Sequence, residues 1–594
     1  MPRVSVWAPL ANEVQLEIAD QSLLMEPGAK GWRHIDTELA VHGADYAFRL
    51  DGSEPLPDPR SPWQPYGVFG KSRIVDHSRF HWTDHDWSSV NLGAFVMYEL
   101  HVGTFTPAGT FEAVIEKLEY LKNLGVTHIE LMPVVEFVGD RGWGYDSVDL
   151  FAPHHAYGGP EGLKQLINAC HNKRIGVILD VVYNHLGPSG NFLSRFGHYF
   201  MPEMPNVWGE PINFSGPHSD EVRRFFIDNA LMWFRDYHAD GLRIDAIQAM
   251  IDPTSFHVLE QLATEVDAIE GHLRRNTVII AESNKNDPRV VKHPLAGGYG
   301  IDSQWSDDFH HALHALLTGD TSGYYEGFGS VATLANAIKN GFSFAGSYYA
   351  AFQRRHGRPT FGLSGHKFVA FMQNHDQIGN RPTGERSSHM MSREQLKMAA
   401  ALVFTSPFLP LLFMGEEWGA STPFYYFTDH HDEVLADAVR EGRRQDFSQF
   451  GWDPDKVPDP QDMDTFNKSK LNWDERGNEP YRNLLKWYHD LADLRRKLPD
   501  LTDGRMQNVE VQFNEEEKWL AMHRGVVTVA CNFSGEPHKL PRRKNKPAEV
   551  LLASQPVKID DEGMTVPAES VVILGPGAKA SLTFQSFTVP DQYG

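Results

Sequence analysis

The stretch GVILDVVYNH, residues 176–185, passes from an apolar run into polar and charged side chains. Its valines, isoleucine and leucine predict a β-strand, and the polar residues follow where that strand would end. The same arrangement recurs in GLRIDAI at 241–247, TVIIAES at 277–283 and FVAFMQNHD at 368–376. Segments with helical periodicity, such as EVRRFFIDNALMWFRDYH, lie between these runs. The repeat therefore predicts strands that alternate with helices, the pattern of an α/β domain.

Eight strand candidates of this kind follow one another in the middle of the chain, each spaced for a crossover helix. They are VMYELHV, HIELMP, GVILDVVYNH, GLRIDAI, TVIIAES, a segment near DSQWSDD, FVAFMQNHD and LPLLFMG. Eight strand–helix units over roughly four hundred residues predict a TIM (β/α)8 barrel with insertions. An open doubly wound sheet is the alternative, but no glycine fingerprint follows the first strand, which favours the barrel.

Both ends of the chain instead show short runs in which apolar and polar residues alternate. VSVWAP, EVQLEI and YAFRLDG predict strands near the N-terminus, and VEVQF, KWLAMHR, VVTVACNF, AEVLLA and SVVILG predict strands near the C-terminus. We expect an N-terminal immunoglobulin-like β-sandwich over residues 1–90, the barrel over 91–503 and a C-terminal antiparallel β-domain over 504–594. The tail at 577–594 has no pattern that assigns a structure.

The chain is strongly acidic, with 55 lysine and arginine residues against 78 aspartate and glutamate residues, a formal net charge of −23. This balance disfavours nucleic acid and anionic membranes as partners, since both require clustered cationic side chains. Two cysteines, Cys170 and Cys531, make neither a disulfide framework nor a cysteine-based zinc site. Because MPRVSVWAPLANEV shows no secretory signal pattern, these features predict a cytoplasmic protein with a neutral substrate.

The longest charge-free apolar stretch, Met398 to Gly415, approaches the length of a membrane span. Pro407 and Pro410 interrupt it, and proline breaks a helix because it lacks an N–H donor. A helix followed by a turn and a strand is therefore the better interpretation of this stretch.

Charged side chains stand at the ends of four predicted barrel strands. Catalytic residues of TIM barrels lie at the C-terminal strand ends, which open into one bowl. A single acidic residue there is usually a turn residue or a helix cap. Four acids accompanied by two histidines and an arginine are poorly explained as caps, and they indicate an active site. These residues are Asp180, His185, Arg243, Asp245, Glu282, His375 and Asp376.

The placement of Asp245 and Glu282 suits the cleavage of a glycosidic bond. That reaction uses a nucleophile and a general acid, about 5–5.5 Å apart in retaining enzymes. Neighbouring barrel strands are about 4.8 Å apart, so carboxyl groups on consecutive strand ends match this distance. Arg243 lies on the same side of its strand as Asp245, and its charge should keep Asp245 ionised. A nearby anion and partial burial should keep Glu282 protonated, which leaves Asp376 to hold substrate hydroxyls and stabilise an oxocarbenium-like state.

The segments DVVYNH, GLRIDA, AES and QNHDQ resemble, in order and spacing, the four short signature regions of the α-amylase superfamily. Each segment is weak evidence alone, whereas four in register at strand ends are specific. The resemblance implies that Asp245 is the nucleophile, Glu282 the acid/base and Asp376 the transition-state stabiliser of a retaining hydrolase. It also implies supporting or substrate-side roles for Asp180, His185, Arg243 and His375.

A narrower resemblance covers nearly the whole chain and points to the malto-oligosyltrehalose trehalohydrolases. It is carried by LPDPRSPWQPYGVFG, WGYDSVDLFAP, VVYNHLGPSGN, DDFHHALHALLTGDTSGYY, QNHDQIGNRPTGER, EEWGASTPFYYFTDHHD and SKLNW. Members of that family cleave the α-1,4 bond next to a terminal trehalose unit and release trehalose. The resemblance therefore implies malto-oligosyltrehalose as substrate, a functional pairing with a malto-oligosyltrehalose synthase, and a carbohydrate-binding type of N-terminal sandwich.

We expect substrate contacts from the signature segments and from the runs DDFHH and QNHDQ, with Tyr145 as the best stacking platform for a sugar ring. The expected set is Tyr145, Asp180, His185, Arg243, Gln248, Asp307, Asp308, Phe309, His310, His311, Gln373, Asn374, His375 and Gln377. Weaker candidates after the eighth strand are Glu417, Trp418 and Phe424. Gln248 stands where the family is expected to have a histidine, so the substrate contact at that position is left open.

Two alternatives to hydrolysis remain. A branching enzyme or another glucanotransferase would use the same covalent intermediate with a sugar acceptor instead of water. Branching and debranching enzymes share the N-terminal sandwich and the barrel signatures, but they differ after the His-Asp pair, where this chain has Gln377-Ile378-Gly379. A non-catalytic glucan-binding protein on the same fold is disfavoured by the intact set of Asp245, Glu282 and Asp376.

Histidine-rich segments do not predict a metal site. The histidines of HHALH fall on a predicted helix, and His430 and His431 belong to no HExxH motif. Asn184 could contribute one ligand to a structural calcium site, but the sequence shows no full set of oxygen ligands around it. The sequence has no phosphate-binding glycine loop, and glycosidic cleavage requires no cofactor. We therefore predict neither a metal requirement nor a cofactor.

Overall fold

Eight parallel strands close into a barrel in which each strand pairs with the next and the eighth pairs with the first. This topology confirms the predicted TIM barrel. The strands are β1 (Met97–Leu100), β2 (His128–Leu131), β3 (Gly176–Val181), β4 (Gly241–Ile244), β5 (Val278–Ala281), β6 (Ser303–Trp305), β7 (Phe368–Phe371) and β8 (Leu409–Phe413). The computed structural model describes residues 1–201, 209–449, 456–543, 546 and 549–576.

Helices follow the strands along the chain, and most of them bury one apolar face. The longer helices are Leu118–Leu124, Gly159–Asn172, Ser219–Asp236, Val258–Leu273, Asp307–Thr318, Val331–Asn340, Arg393–Thr405, Glu433–Gln449 and Tyr481–Lys497. The shorter ones are Val102–Phe105, Phe111–Ile115, Leu193–Phe196, His375–Gly379, Ser387–Met390, Met463–Lys468 and Pro499–Thr502. Within the described ranges, no helix has the length and apolar character needed to cross a bilayer. The apolar stretch from residue 398 to 415 is divided between a helix, a turn and β8, as predicted.

The connection from β5 to β6 differs from the expected strand–helix unit. Residues 282–302 are all described, and they contain a single 3₁₀ turn, Pro294–Ala296, in place of an α-helix. Proline lacks the N–H that a helix requires, and Gly297 and Gly300 both have left-handed backbone conformations. These residues explain why the chain crosses here without a helix.

A packed apolar layer inside the barrel supports a polar layer at the C-terminal strand ends. Met97, Ile178, Ile280, Trp305 and Phe371 belong to one buried cluster contributed by different strands. Above it, the register places charged residues of neighbouring strands opposite one another, namely Glu99 with Glu130 and Asp180 with Arg243. The charged groups of the barrel therefore stand on rigid strands rather than on loops.

Two antiparallel sheets precede the barrel. One contains Arg3–Trp7, Trp32–Asp36 and Glu26–Pro27, and the other contains Gln21–Leu24, Val14–Ile18, Asp45–Leu50 and Ser72–Arg73. Their facing apolar side chains, among them Val6, Leu16 and Phe48, are buried. These sheets agree with the alternating pattern of the N-terminal sequence.

The predicted C-terminal antiparallel sheet is also present. It has five strands, Val509–Asn514, Trp519–Arg524, Val527–Asn532, Ser570–Gly575 and Glu549–Ala553, and a smaller sheet contains His538–Leu540, Met564–Val566 and Lys558–Ile559. Arg524 donates hydrogen bonds to the carbonyl oxygens of Thr405 and Ser406 at 2.9 and 2.7 Å, which joins this sheet to the barrel. The tail at 577–594 lies outside the described residues.

Candidate active site

A cavity of about 420 Å³ opens at the C-terminal ends of the barrel strands. It is lined by Trp143, Gly144, Tyr145, Asp146, His185, Asp245, Ala246, Gln248, Glu282, Tyr324, Asp376, Asn380, Tyr426, Thr428 and Arg443. Aromatic rings and a few polar groups share its wall, which is the composition expected of a site for a sugar. The three carboxyl groups predicted to be catalytic all reach this one cavity.

The guanidinium of Arg243 lies directly behind these carboxyl groups and is fully buried. Its Nη1 donates to both carboxylate oxygens of Asp180 at 2.8 Å and to Asp245 Oδ1 at 3.0 Å. Its Nη2 donates to Glu282 Oε2 at 2.7 Å. Since these residues come from β3, β4 and β5 and the turns that follow them, one cation joins three consecutive strand ends.

Asp245 receives a second donor from the loop after β3. Asn184 Nδ2 donates to Asp245 Oδ2 at 2.7 Å and to the Asp245 carbonyl at 2.9 Å. Burial raises the pKa of the Asp245 carboxyl above its ordinary value, while Arg243 and the Asn184 amide oppose that rise. We expected the charge of Arg243 to keep Asp245 ionised; Arg243 does lower this pKa, but burial has the larger effect. Two donors nevertheless orient the carboxylate towards the cavity.

Glu282 is held so that one of its oxygens stays available for a proton. Oε2 accepts from Arg243 Nη2 and from the Ala246 N–H at 2.8 Å. Ala246 has a left-handed conformation with φ 38°, which is strained for a residue with a side chain and turns its N–H towards Glu282. Burial, followed by the charges of Asp245 and Asp376, raises the pKa of Glu282 to about 7, although Arg243 opposes the shift. Both donors bond Oε2, which leaves Oε1 to carry the proton.

His375 and Tyr145 connect the two sides of the site. His375 Nδ1 bonds the Glu99 carboxylate, and its Nε2 lies 2.8 Å from the Tyr145 hydroxyl, which donates to Asp180 Oδ2 at 2.6 Å. Burial lowers the pKa of His375, but the charges of Glu99 and Asp376 outweigh it and raise the pKa to about 9. A cationic His375 then donates to Tyr145 and fixes the direction of the hydroxyl proton. The ring of Tyr145 stacks on His375 at 5.2 Å.

Asp376 stands on a single helical turn, His375–Gly379, that follows β7. The side chain of Asn374 accepts from the N–H groups of Asp376 and Gln377, and Gln377 Oε1 accepts from the Asn374 N–H in return. This reciprocal cap satisfies backbone donors that a helix start leaves unpaired. Asn374 and Gln377 thus orient the turn that carries Asp376, and neither lines the cavity. That they contact substrate stays a prediction.

The predicted substrate-binding residues divide into three groups. Tyr145, His185 and Gln248 line the cavity, and the buried Gln248 Oε1 has no hydrogen-bond partner among the described residues. Asp180, Arg243 and His375 lie behind the wall and orient the residues that line it, as described above. Asp307 is close enough that the charges of Glu282 and Asp376, after burial, raise the pKa of its carboxyl.

Like Asp307, the residues Asp308, Phe309 and His310 are not among those that line the cavity, and substrate contact by them stays a prediction. Asp308 Oδ2 accepts from Asn286 Nδ2 and from two backbone N–H groups at 2.8–2.9 Å. Phe309 is buried against Phe408, and His310 Nδ1 donates to a backbone carbonyl at 2.6 Å. These three residues lie in the first turn of the helix Asp307–Thr318, and all three are buried.

His311, Gln373 and the three weaker candidates after β8 are also absent from the cavity wall. The ring of His311 packs against Tyr325 and Phe328, and Gln373 Oε1 accepts from the Ser387 N–H. Glu417 accepts from Tyr98 and Tyr120, Trp418 packs on Trp473, and Phe424 stacks on Trp143. The contacts named here are with other protein groups, and sugar binding by these residues stays a prediction. Tyr426, from the same segment, is the aromatic residue that lines the cavity.

Several residues of the site were not predicted. Glu99 could have been found, because a carboxyl group inside the apolar run VMYELHV is unusual at the end of a buried strand. Asp146 lies inside WGYDSVDLFAP and Asn380 inside QNHDQIGNRPTGER, two segments that carry the resemblance. Tyr324 lies near the end of DDFHHALHALLTGDTSGYY, which carries the resemblance, whereas Arg443 lies in a segment whose sequence carries no signal for the cavity.

One group among the described residues could present metal ligands. Donor atoms of Glu136, His154 and His155 lie within 4.8 Å of one another. His155 Nδ1 already bonds Glu136 Oε1 at 2.6 Å, and that hydrogen bond raises the pKa of His155. A protonated His155 balances the buried carboxylate, so the group is satisfied as an ion pair.

Comparisons with known proteins agree with this geometry. Residues 76–199 match the alpha amylase catalytic domain, and residues 504–573 match a domain of unknown function. The chain is 44% identical to malto-oligosyltrehalose trehalohydrolase from Mycobacterium tuberculosis, over 97% of this chain and 99% of that protein. It is 43% identical to the enzyme of the same name from Rhizobium sp., over 96% and 97% of the two chains. A crystal structure of a protein from Salmonella typhimurium superposes with a TM-score of 0.89 at 36% identity, covering 97% of both chains.

The pKa of Glu282 leads to a pH prediction. A carboxyl group that donates a proton is active only while protonated, so kcat/KM for glycosidic cleavage should fall as pH rises through about 7. The charge of Asp376 helps to raise this pKa, so in Asp376→Asn the alkaline limb of the residual activity should move to lower pH. Initial rates measured from pH 5 to 9 at low substrate concentration would test both statements. A limb that stays in place in the variant would contradict the electrostatic coupling.

Proposed function

The chain belongs to the malto-oligosyltrehalose trehalohydrolase family, and we infer from this that it cleaves the α-1,4-glucosidic bond next to the terminal trehalose of malto-oligosyltrehalose. The products are trehalose and a shorter malto-oligosaccharide. The observation that carries the proposal is the cluster in which Arg243 bonds both Asp245 and Glu282 at the wall of a single cavity.

In the first step we propose that Asp245 attacks the anomeric carbon of the glucose unit adjoining trehalose. The bond from that carbon to the glycosidic oxygen breaks, and the Glu282 proton passes to this oxygen as trehalose leaves. The new bond joins the sugar to Asp245 as a glycosyl ester. Asn184 and Arg243 support this step because they orient the attacking carboxylate.

In the second step Glu282, now ionised, takes a proton from water. The water oxygen attacks the anomeric carbon, the ester bond to Asp245 breaks, and Asp245 leaves as a carboxylate. Two displacements at the same carbon return the α configuration. Asp245 and Glu282 bond neighbouring nitrogens of one guanidinium, which supports the short separation that retention requires.

Asp376 and Tyr145 are proposed to act on the sugar ring itself. Asp376 lies on the cavity wall, where its carboxylate can hold ring hydroxyls and stabilise positive charge at the anomeric carbon. Tyr145 offers an aromatic face and is fixed by bonds to Asp180 and His375. A rigid platform of this kind reduces the ordering that substrate binding must supply.

The wider context is proposed on the same basis. We propose three domains: a carbohydrate-binding type of sandwich over residues 1–90, the catalytic barrel over 91–503 and a C-terminal β-domain from 504. The last described strands of the C-terminal five-stranded sheet are Glu549–Ala553 and Ser570–Gly575. We also propose a cytoplasmic location. The substrate carries trehalose at one end, so a malto-oligosyltrehalose synthase is the class of enzyme that would supply it.

Replacing the nucleophile should abolish turnover without disturbing the fold. Asp245→Asn keeps the size and shape of the side chain, but its amide has one acceptor oxygen where the carboxylate has two. An amide does not form the ester intermediate. We expect kcat to fall by about 10³-fold or more, as covalent catalysis has no substitute route here. Trehalose release by the purified variant, with circular dichroism as the control for folding, measures this. More than a tenth of wild-type activity would rule out Asp245.

The anomeric form of the product tests retention directly. We expect the new reducing end of the malto-oligosaccharide to appear first as the α anomer. Proton NMR during the first minutes of hydrolysis, before mutarotation, distinguishes the two anomers. An initial β product would show inversion and would remove the nucleophile role of Asp245.

Substrate preference tests the activity itself. Maltotetraosyl trehalose should be cleaved with much higher kcat/KM than maltohexaose, since groups placed for a trehalose end are left unpaired by a reducing end. Product chromatography with equal concentrations of the two hexasaccharides measures this. Equal kcat/KM values would indicate a general amylase, and longer or branched products would indicate a glucanotransferase.

A further inference from the structure

The side chain of Arg443 lines the catalytic cavity. Unlike the catalytic carboxyl groups, it comes from a helix that does not directly follow a barrel strand. It lies on Glu433–Gln449, and its guanidinium stacks over the ring of Tyr426 at 4.6 Å from the ring centroid. Nη1 donates to Asn380 Oδ1 at 2.9 Å, and Nη2 donates to the Gly379 carbonyl oxygen at 2.6 Å. Both acceptors belong to the end of the helical turn that carries Asp376.

Asn380 passes the effect of Arg443 to Asp376. Its Nδ2 donates to Asp376 Oδ1, with the two atoms 3.3 Å apart. An amide has one oxygen and one nitrogen, and the guanidinium is a donor that accepts nothing. If the amide rotated by half a turn, its NH2 would meet the guanidinium and its oxygen would meet the carboxylate. Arg443 therefore selects the orientation in which Asn380 donates to Asp376.

Arg443 also closes the far end of the turn. A single helical turn is unstable by itself because few hydrogen bonds offset the ordering of its backbone. Asn374 caps the start of this turn, and the bond from Arg443 to the Gly379 carbonyl holds its end, where a cation is favourable. Position 379 has no room for a side chain, because a Cβ there would lie 2.0 Å from the Trp143 ring. Asp376 is thus aimed by contacts at both ends of the turn.

We propose that Arg443 is a positioning residue for Asp376, acting through Asn380 and the Gly379 carbonyl. The inference rests on the proposed role of Asp376 in stabilising the transition state. It makes the helix Glu433–Gln449 a part of the catalytic apparatus, although that helix is mostly exposed and lies outside the signature segments. Arg443 need not touch the sugar for this role.

The expected effect is on the chemical step. A carboxylate that stabilises the transition state loses rate when it is misaligned, and small misplacements cost up to about 100-fold. We expect Arg443→Ala to lower kcat for maltotetraosyl trehalose by about 10- to 100-fold while KM changes by less than about threefold. Arg443→Lys should recover part of the loss, since an ammonium group can reach one acceptor but does not bridge both.

The adjacent Arg444 provides a matched control. It is exposed on the same helix and carries the same charge. Arg444→Ala should keep kcat and KM within twofold of the wild-type values. Thermal melts of both variants report whether either change unfolds the helix or the barrel.

A double-mutant cycle separates positioning from a loss of folded enzyme. If Arg443 acts through Asn380, the kcat loss in Arg443→Ala plus Asn380→Ala should be much smaller than the product of the two single losses. A reduced fraction of folded protein would multiply with the effect of Asn380→Ala instead. Multiplicative losses, or a kcat of Arg443→Ala within twofold of wild type, would overturn the proposal.

Asp376→Asn, measured beside these variants, distinguishes failure of this inference from failure of the proposed function. If Asp376→Asn is inactive while Arg443→Ala equals wild type, only the positioning role is wrong. If Asp376→Asn retains more than a tenth of the wild-type kcat, Asp376 does not stabilise the transition state, and the positioning role of Arg443 is wrong as well.

Discussion

The guanidinium of Arg243 is shielded from solvent inside the barrel, and it bonds the carboxyl groups of Asp180, Asp245 and Glu282. Removing a charge from water costs several kcal/mol per ion, and only well-placed partners offset that cost. Here the partners come from the ends of three consecutive strands, so the cation is satisfied only when β3, β4 and β5 are in register. Loss of the guanidinium would leave three acids buried together without a counter-ion. Folding of the barrel and assembly of the site are therefore the same event.

The same cluster gives two neighbouring carboxyl groups different tasks. Asp245 is bonded through both oxygens, by Arg243 and by Asn184, whereas Glu282 uses one oxygen for both of its donors. Donors that surround a carboxylate favour its ionised form, and a free oxygen facing negative neighbours favours a proton. Burial raises the pKa of both groups, and the two differ in where their donors lie. The strained backbone of Ala246 supplies one of these donors, which connects a local cost in conformation to the chemistry.

Asp376 is held in a different way from the other two carboxyl groups. Asp245 and Glu282 directly follow barrel strands, whereas Asp376 depends on a short turn secured by Asn374 and Arg443. Strand ends vary little in position because the ladder on both sides restrains them, and loops are free to differ. Two of the three carboxyl groups are therefore fixed by the strands themselves. The third depends on surrounding segments, which include the helix that carries Arg443.

The amino-acid sequence by itself determined the barrel, the sheets that flank it and the cavity location of Asp245, Glu282 and Asp376. These features rest on local patterns, because apolar periodicity defines strands and a charged residue at a strand end must face the bowl. The tertiary structure alone decided which of two adjacent acids lies near the catalytic carboxyl groups: the charges of Glu282 and Asp376 act on Asp307, while Asp308 bonds the backbone of a distant loop. It also decided the role of Arg443, which no pattern indicated. The physical reason is that a side-chain contact between distant segments depends on barrel closure and on the path of each loop, and neither is encoded in the neighbours of a residue along the chain.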